Sequence, residues 1–251
     1  MLKKRVIPIQ LLKNGRLVKG KAFTDYRDVG DPVASSGVYN SQLADELIFL
    51  NTDSKLGVEP LLDIIDEVAN VVFMPISFGG GIREFDDAAA LIKHGADKVV
   101  LNSVCYQKPE LISDIANHFG NQAVVVCVDY RIIDGQVKLY SHNGDKQEMV
   151  SLEQHIAEIE SRGAGEIMLQ SIDRDGCMQG FDLELIKQVS DKCHVPVIIA
   201  GGSGNYEQLK EAFFAADISA VACGSLFNFS DSNPMRAIAF LRNYDLPFKK
   251  V

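Results

Sequence analysis

The sequence predicts a (βα)8 barrel (a TIM barrel), an α/β fold of eight parallel strands ringed by helices, and three observations carry that prediction. Short apolar runs alternate with helical patterns along all 251 residues. The runs are continuous rather than alternating, as in strands covered on both faces. The chain also echoes itself. Ser77-Phe-Gly-Gly-Gly-Ile-Arg83 is answered by Ala200-Gly-Gly-Ser-Gly204, and Lys98-Val-Val-Leu-Asn-Ser103 by Ala220-Val-Ala-Cys-Gly-Ser225, each 122 positions apart. Glu46-Leu-Ile-Phe-Leu-Asn51 returns as Glu166-Ile-Met-Leu-Gln-Ser171 at an offset of 120, and Val6-Ile-Pro-Ile-Gln-Leu11 matches Val124-Val-Val-Cys-Val-Asp129. Four ordered correspondences at nearly one offset indicate an internal duplication. A single domain over 1–251 is expected, with half-barrels at about 1–120 and 121–245. An open doubly wound sheet competes, but repeated halves lack the reversal of strand order it needs.

Taken in order, the strands are expected to begin near Val6, Leu47, Val72, Val99, Val124, Ile167, Val197 and Ala220. Helices are expected at about 32–44, 57–69, 84–94, 108–118, 151–162, 182–192, 205–215 and 233–243. Leu61, Ile64, Ile65 and Val68 make an i, i+3, i+4, i+7 stripe, so the second helix buries one face. Ala88, Ala89, Leu91 and Ile92 do the same for the third. In such barrels the chemistry sits in loops after the strands. Three of these are long: Leu12–Pro32, Arg131–Val150 and Ser171–Asp182. The middle one carries Asp134-Gly135, a hairpin signal that predicts a small antiparallel flap.

Composition narrows the function. A net charge of −9 argues against a nucleic-acid surface, which needs a basic face. Five cysteines without regular spacing lie mostly in or beside apolar runs and read as reduced core residues. Met1-Leu-Lys-Lys-Arg5 is too soon followed by strand to be a signal peptide, and no run approaches the ~18 apolar residues of a membrane span. A soluble, cytoplasmic protein is expected. The histidines show no ligand spacing, so neither a metal nor another cofactor is expected.

Several residues suit chemistry. The two glycine clusters, at Gly80-Gly81 and Gly201-Gly202, each end an apolar run just before a helix, where backbone N–H groups and peptide dipoles favour an anion. Asp129 ends a buried strand, where desolvation raises a carboxyl pKa into the range useful for proton transfer. In Asp173-Arg-Asp-Gly176, Arg174 is placed to pair with either carboxylate. Lys19 suits a substrate phosphate, although loop lysines are usually only solvated. At the other end, Arg5, Glu46, Lys98 and Glu166 each stand at a strand start, where charged residues are common; two of each sign also suit a salt-bridged gate over the barrel axis.

With these residues in view, the chain resembles the HisF family, the cyclase subunits of imidazole glycerol phosphate synthase. The likeness runs over essentially the whole chain. It includes Lys19-Gly20, Arg27-Asp-Val-Gly-Asp-Pro32, Ala44-Asp-Glu-Leu47, Gly79-Gly-Gly-Ile82, Gly95-Ala-Asp-Lys98, Gln122-Ala-Val-Val-Val126, Gly163-Ala-Gly-Glu166 and Ser171-Ile-Asp-Arg-Asp-Gly176. The resemblance implies a HisH-like glutaminase partner that docks at the N-terminal face and releases ammonia into the barrel. It implies an ammonia gate at Arg5, Glu46, Lys98 and Glu166, and partner-facing positions at Asp97 and Gln122. It places the ends of a phosphorylated small molecule at the glycine clusters with Asn102-Ser103 and Gly224-Ser225. Asp129 matches one of two catalytic aspartates, and Asp175, before Gly176, a substrate-binding one.

The other catalytic aspartate is absent. The family's Cys-Leu-Asp-Val is Ile9-Gln-Leu-Leu12 here, so Leu11 takes its place. Leucine exchanges no proton, and Gln10 cannot substitute because neighbouring strand residues point to opposite faces. Asn51 stands for an Asp, and Gln170 for a small hydroxyl residue. These departures favour a divergent paralogue that keeps the ammonia supply but serves a separate ATP-dependent amidotransferase making an acetamidino sugar for a surface polysaccharide. The chain alone would then lack cyclase activity. An authentic cyclase of histidine biosynthesis, and a non-enzymatic conduit, are the competing readings.

Overall fold

The computed structural model describes residues 3–53 and 57–249; Met1 and Leu2, which open the basic N-terminal segment, lie outside that range. Eight parallel strands close on themselves: β1 (Arg5–Lys13), β4 (Leu47–Asn51), β5 (Ile76–Gly79), β6 (Lys98–Leu101), β7 (Val124–Ile133), β10 (Glu166–Ser171), β11 (Val197–Ala200) and β12 (Ala220–Cys223). The register Arg5↔Ala220 between β1 and β12 seals the ring. Around it run α1 (Pro32–Ser41), α2 (Glu59–Ala69), α3 (Phe85–Lys93), α4 (Glu110–Phe119), α5 (Leu152–Ser161), α6 (Leu183–Ser190), α7 (Tyr206–Ala215), the short α8 (Ser225–Asn228) and α9 (Pro234–Arg242).

The expected helices are present, shortened by their caps. Asp31 accepts from Ala34 N with Pro32 behind it at the start of α1, and Ser151 and Gln154 form a reciprocal capping box on α5. On α2, Leu61, Ile65 and Val68 are buried and Ile64 half-buried, the stripe read from the sequence.

One strand start moves. The third barrel strand begins at Ile76, not near Val72. Val71 and Phe73 are exposed, Phe73 at 92%, and Pro75 has no N–H to give a central ladder. The strand therefore carries Ser77, Phe78 and Gly79, and the glycine cluster begins inside it.

Two antiparallel excursions interrupt the barrel. β1 turns at Asn14-Gly15 into β2 (Arg16–Lys21) and then β3 (Thr24–Gly30); β7 turns at Asp134-Gly135 into β8 (Gln136–Ser141) and β9 (Lys146–Glu148). Both turn pairs are left-handed, with φ of 50° and 72° in the first and 50° and 73° in the second, the geometry of a two-residue hairpin. The flap was legible from Asp134-Gly135. The first arm, read only as a long loop, carried the same signal in Asn14-Gly15.

Side chains alternate along each strand. Those facing outward join the helices in the main core, where Phe49 and Phe78 stack with centroids 4.6 Å apart. Those facing inward form a second cluster that fills the lumen, in which Ile7, Ile9, Ile48, Val100, Val125, Cys127, Met168 and Ile198 pack with Ala200, Ala220 and Ala222. Each large inward side chain contributes roughly 1.5–3 kcal/mol by leaving water, so the lumen is packed core.

Candidate functional site

The alternation of period two strings the charged ends to the cavity through that lumen. On β1 the inward column is Arg5, Ile7, Ile9 and Leu11. On β6 it is Lys98, Val100 and Asn102; on β10, Glu166, Met168 and Gln170; on β7, Val125, Cys127 and Asp129. Glu46 leads into Ile48 and Leu50 on β4. Six steps along the strand separate Arg5 from Leu11, about 20 Å at ~3.3 Å per residue.

At the N-terminal end the four charges form a closed ring. Arg5 pairs with Glu46 at 2.5 Å and Glu166 at 3.1 Å, and Lys98 pairs with Glu46 and Glu166 at 3.0 Å each. Two positive and two negative groups balance, and all four side chains are largely buried from water. Asp97 and Gln122 lie on the same face and are exposed, holding local bonds: Asp97 accepts from Ile76 N at 2.8 Å, and Gln122 donates to Phe119 O at 3.0 Å. Leu43, Val71 and Phe73 add exposed apolar surface in the turns before β4 and β5.

At the other end is a cavity of about 470 Å³. Leu11, Lys19, Asn51, Gly80, Gly81, Asn102, Ser103, Asp129, Gln170 and Asp175 all line it. Gln10 does not. It faces out, is buried, and donates to Ser35 Oγ on α1 at 2.6 Å.

Only one of the two glycine clusters reaches this cavity. Gly176, Gly201, Gly202, Gly224 and Ser225 are outside its lining. Close packing requires glycine in both clusters: a Cβ on Gly201 would collide with Ser171 O and one on Gly202 with Gly180 O, as one on Gly80 would with Asn51 O and one on Gly81 with Gly57 O. The helix N-termini that follow the two clusters are already met in part by side chains. Glu84 and Asp87 cap α3, and Asn205 caps α7, so these N-termini hold the chain's own acceptors. Gly80 and Gly81, at φ of 89° and 92°, line the cavity from the turn before α3.

Lys19 is not a solvated loop lysine. It sits on β2, 3% exposed, with its ammonium packed against the space a Cβ on Gly224 would fill. Burial lowers its pKa, and nearby Asp175 opposes that. Asp175 is raised by burial and held back by Lys19 and by Gln170 Nε2 at 3.3 Å. Arg174 pairs with neither neighbouring aspartate. It reaches Asp182 and Gly180 O, leaving Asp173 to Arg131.

Asp129 behaves as its position foretold. Burial pushes its carboxyl up to about 7, with the Cys127 thiol at 3.2 Å opposing and Asp175 adding to the rise. It stands on β7, four strands from β1 in a ring of eight, so Leu11 faces it across the barrel. Asn51 spends both amide atoms on the backbone of Asp53. Phe23, Tyr26, Lys108 and His142 also line the cavity, brought in by the two excursions and the loop after β6. No spacing in the sequence marks them, because they join the site by folding back over it.

Comparison with known proteins agrees with this architecture. The sequence profile of the family described as "Histidine biosynthesis protein" matches residues 5–233. The chain is 40% identical over 252 residues to imidazole glycerol phosphate synthase subunit HisF of Hyphomonas neptunium, covering all of both chains. It is 39% identical over 255 residues to that subunit of Alkaliphilus metalliredigens, again over both full lengths. For a Thermotoga strain the figures are 40% over 245 residues, 97% of this chain and 96% of the other. A likeness of that depth from end to end leaves one assignment: the chain belongs to the HisF family of imidazole glycerol phosphate synthase subunits.

Proposed function

We propose that this chain is a HisF-type subunit that takes ammonia from a HisH-like glutaminase and passes it through the barrel toward amidation of a surface-polysaccharide sugar. The observation that carries the redirection is Leu11. An apolar side chain lines the cavity wall opposite Asp129, where the family places its second proton-exchanging carboxylate. One carboxyl poised near 7 remains, and losing one of two cooperating groups removes orders of magnitude from proton-transfer chemistry. The intact ring of Arg5, Glu46, Lys98 and Glu166 and the exposed Leu43, Val71 and Phe73 support a docked partner feeding the lumen. In this reading the first glycine cluster holds a phosphorylated small molecule, a separate ATP-dependent enzyme completes the amidation, and the complex works in the cytoplasm.

The competing reading is an authentic cyclase of histidine biosynthesis, supported by 40% identity to proteins of that name. Turnover of the family's nucleotide substrate with saturating ammonium salt, for wild type and Leu11→Asp, separates the two. The expected result is negligible wild-type turnover and a gain of at least about tenfold in Leu11→Asp. Robust wild-type turnover would make the chain an ordinary histidine-pathway cyclase.

A further inference from the structure

Gln170 has a hydrogen-bonding capacity that the described residues leave half used. It is 4% exposed, lines the cavity, and donates from Nε2 to Asp175 Oδ1 at 3.3 Å, while its Oε1 accepts nothing. Turning the amide over would set its oxygen against the Asp175 carboxylate, so the orientation is determined by chemistry. A buried carbonyl oxygen without a donor is costly, and such groups are normally met by water or a ligand.

The neighbouring strand supplies a second acceptor. Asp129 on β7 is the register partner of Gln170 on β10, ~4.8 Å away at the backbone and in an inward column of its own. Below the pair are Cys127 and Met168; across the cavity are Ile9, Leu11 and Leu50. The acceptors Gln170 Oε1, Asp129 and Asp175 thus stand together, with the Cys127 thiol and the Asn102 amide as donors on Asp129, and hydrocarbon lies across the cavity. Lys19, the nearby cation, is turned toward Gly224.

We propose that Gln170 and Asp129 form a binding site for a small nitrogen cation, ammonium in the first place, at the upper end of the lumen. A ligand carbonyl brings no donor and a hydroxyl only one; water brings two, but no charge to set against the carboxylates. Ammonium brings four, enough to meet Gln170 Oε1 and the Asp129 carboxylate together, and its charge suits a wall that also carries Asp175. The site moves the polar anchor for nitrogen from position 11 to the opposite side of the barrel. It deepens the ammonia-delivery reading above and takes its biological meaning from it.

The test follows the Asp129 carboxyl by carbon NMR in the full chain, titrated with ammonium chloride and, separately, with potassium chloride at equal ionic strength. Asp175, Cys127, Tyr26 and Tyr106 are its titratable neighbours, Lys19 stands beside Asp175, and all are followed in the same spectra. Ammonium should lower the Asp129 pKa where potassium, similar in size but without N–H donors, does not. Gln170→Leu should weaken the ammonium effect about tenfold, the worth of one hydrogen bond. Equal effects of the two cations in the wild type overturn the site even if the variant fails to fold, as does an undiminished ammonium effect in a folded Gln170→Leu. Loss of glutamine-driven coupling is a separate measurement on the gate, so failure of delivery and failure of this site are told apart.

Discussion

Asp129 and His155 are buried groups whose pH dependences oppose each other. Burial holds the Asp129 carboxyl at about 7, so the folded protein binds that proton more tightly than the unfolded chain and stability falls as pH rises from about 4 to about 7. Burial lowers His155 from 6.5 to about 4, so the folded protein binds its proton less tightly and stability rises over about 4 to 6.5. The two nearly cancel in the wild type. Asp129→Asn removes the first, and we expect it to be more stable than wild type above pH 7, by up to about 4 kcal/mol. Urea midpoints from pH 4 to 8 for both proteins check this; parallel curves would mean that Asp129 ionises in the folded protein as it does in the unfolded chain. The pKa rise of Asp129 was legible in the sequence because a carboxylate ending an apolar strand must be desolvated. The burial of Lys19 was not, because β2 reads as a loop until it is paired to β1.

Among the elements, two glycines with similar backbone angles do different jobs. Gly15 turns the first arm at φ 72° with nothing within 4 Å of where a methyl group would sit, whereas a Cβ on Gly80 at φ 89° would collide with Asn51 O. Gly15→Ala should therefore cost about 1 kcal/mol from backbone strain alone. Gly80→Ala should cost at least about 3 kcal/mol, since strain and a clash with backbone add. Thermal unfolding of the two variants measures the difference, and equal losses would refute the close approach of β4 to this turn. Both hairpin turns were written in Asn14-Gly15 and Asp134-Gly135, yet where each arm comes to rest was not. Ala22 N donates to Asp175 O at 2.8 Å, a contact between residues 153 positions apart.

For the whole molecule, the ring of Arg5, Glu46, Lys98 and Glu166 ties four strands from both halves at one end of the lumen. Lys98→Met leaves two largely buried glutamates to one guanidinium and should destabilise by about 3 kcal/mol. Adding Glu46→Gln restores neutrality and should recover much of that loss, so a double variant no more stable than the single would show that the charges are not coupled. In complex with a glutaminase, Lys98→Ala should alter transfer of glutamine-derived nitrogen to product; unchanged coupling would sink the channel reading. The sequence by itself determined the barrel, because a repeat of about 120 residues and doubly covered strands admit few other closures. It also determined the inward columns, since the period of two along each strand makes Arg5 and Leu11, or Glu166 and Gln170, share a face. The tertiary structure alone decided which glycine cluster lines the cavity beside Asp129, that Lys19 is buried, and that Gln170 stands beside Asp129. Those outcomes depend on register between strands and on arms folded back from distant turns, which no local pattern in the chain records.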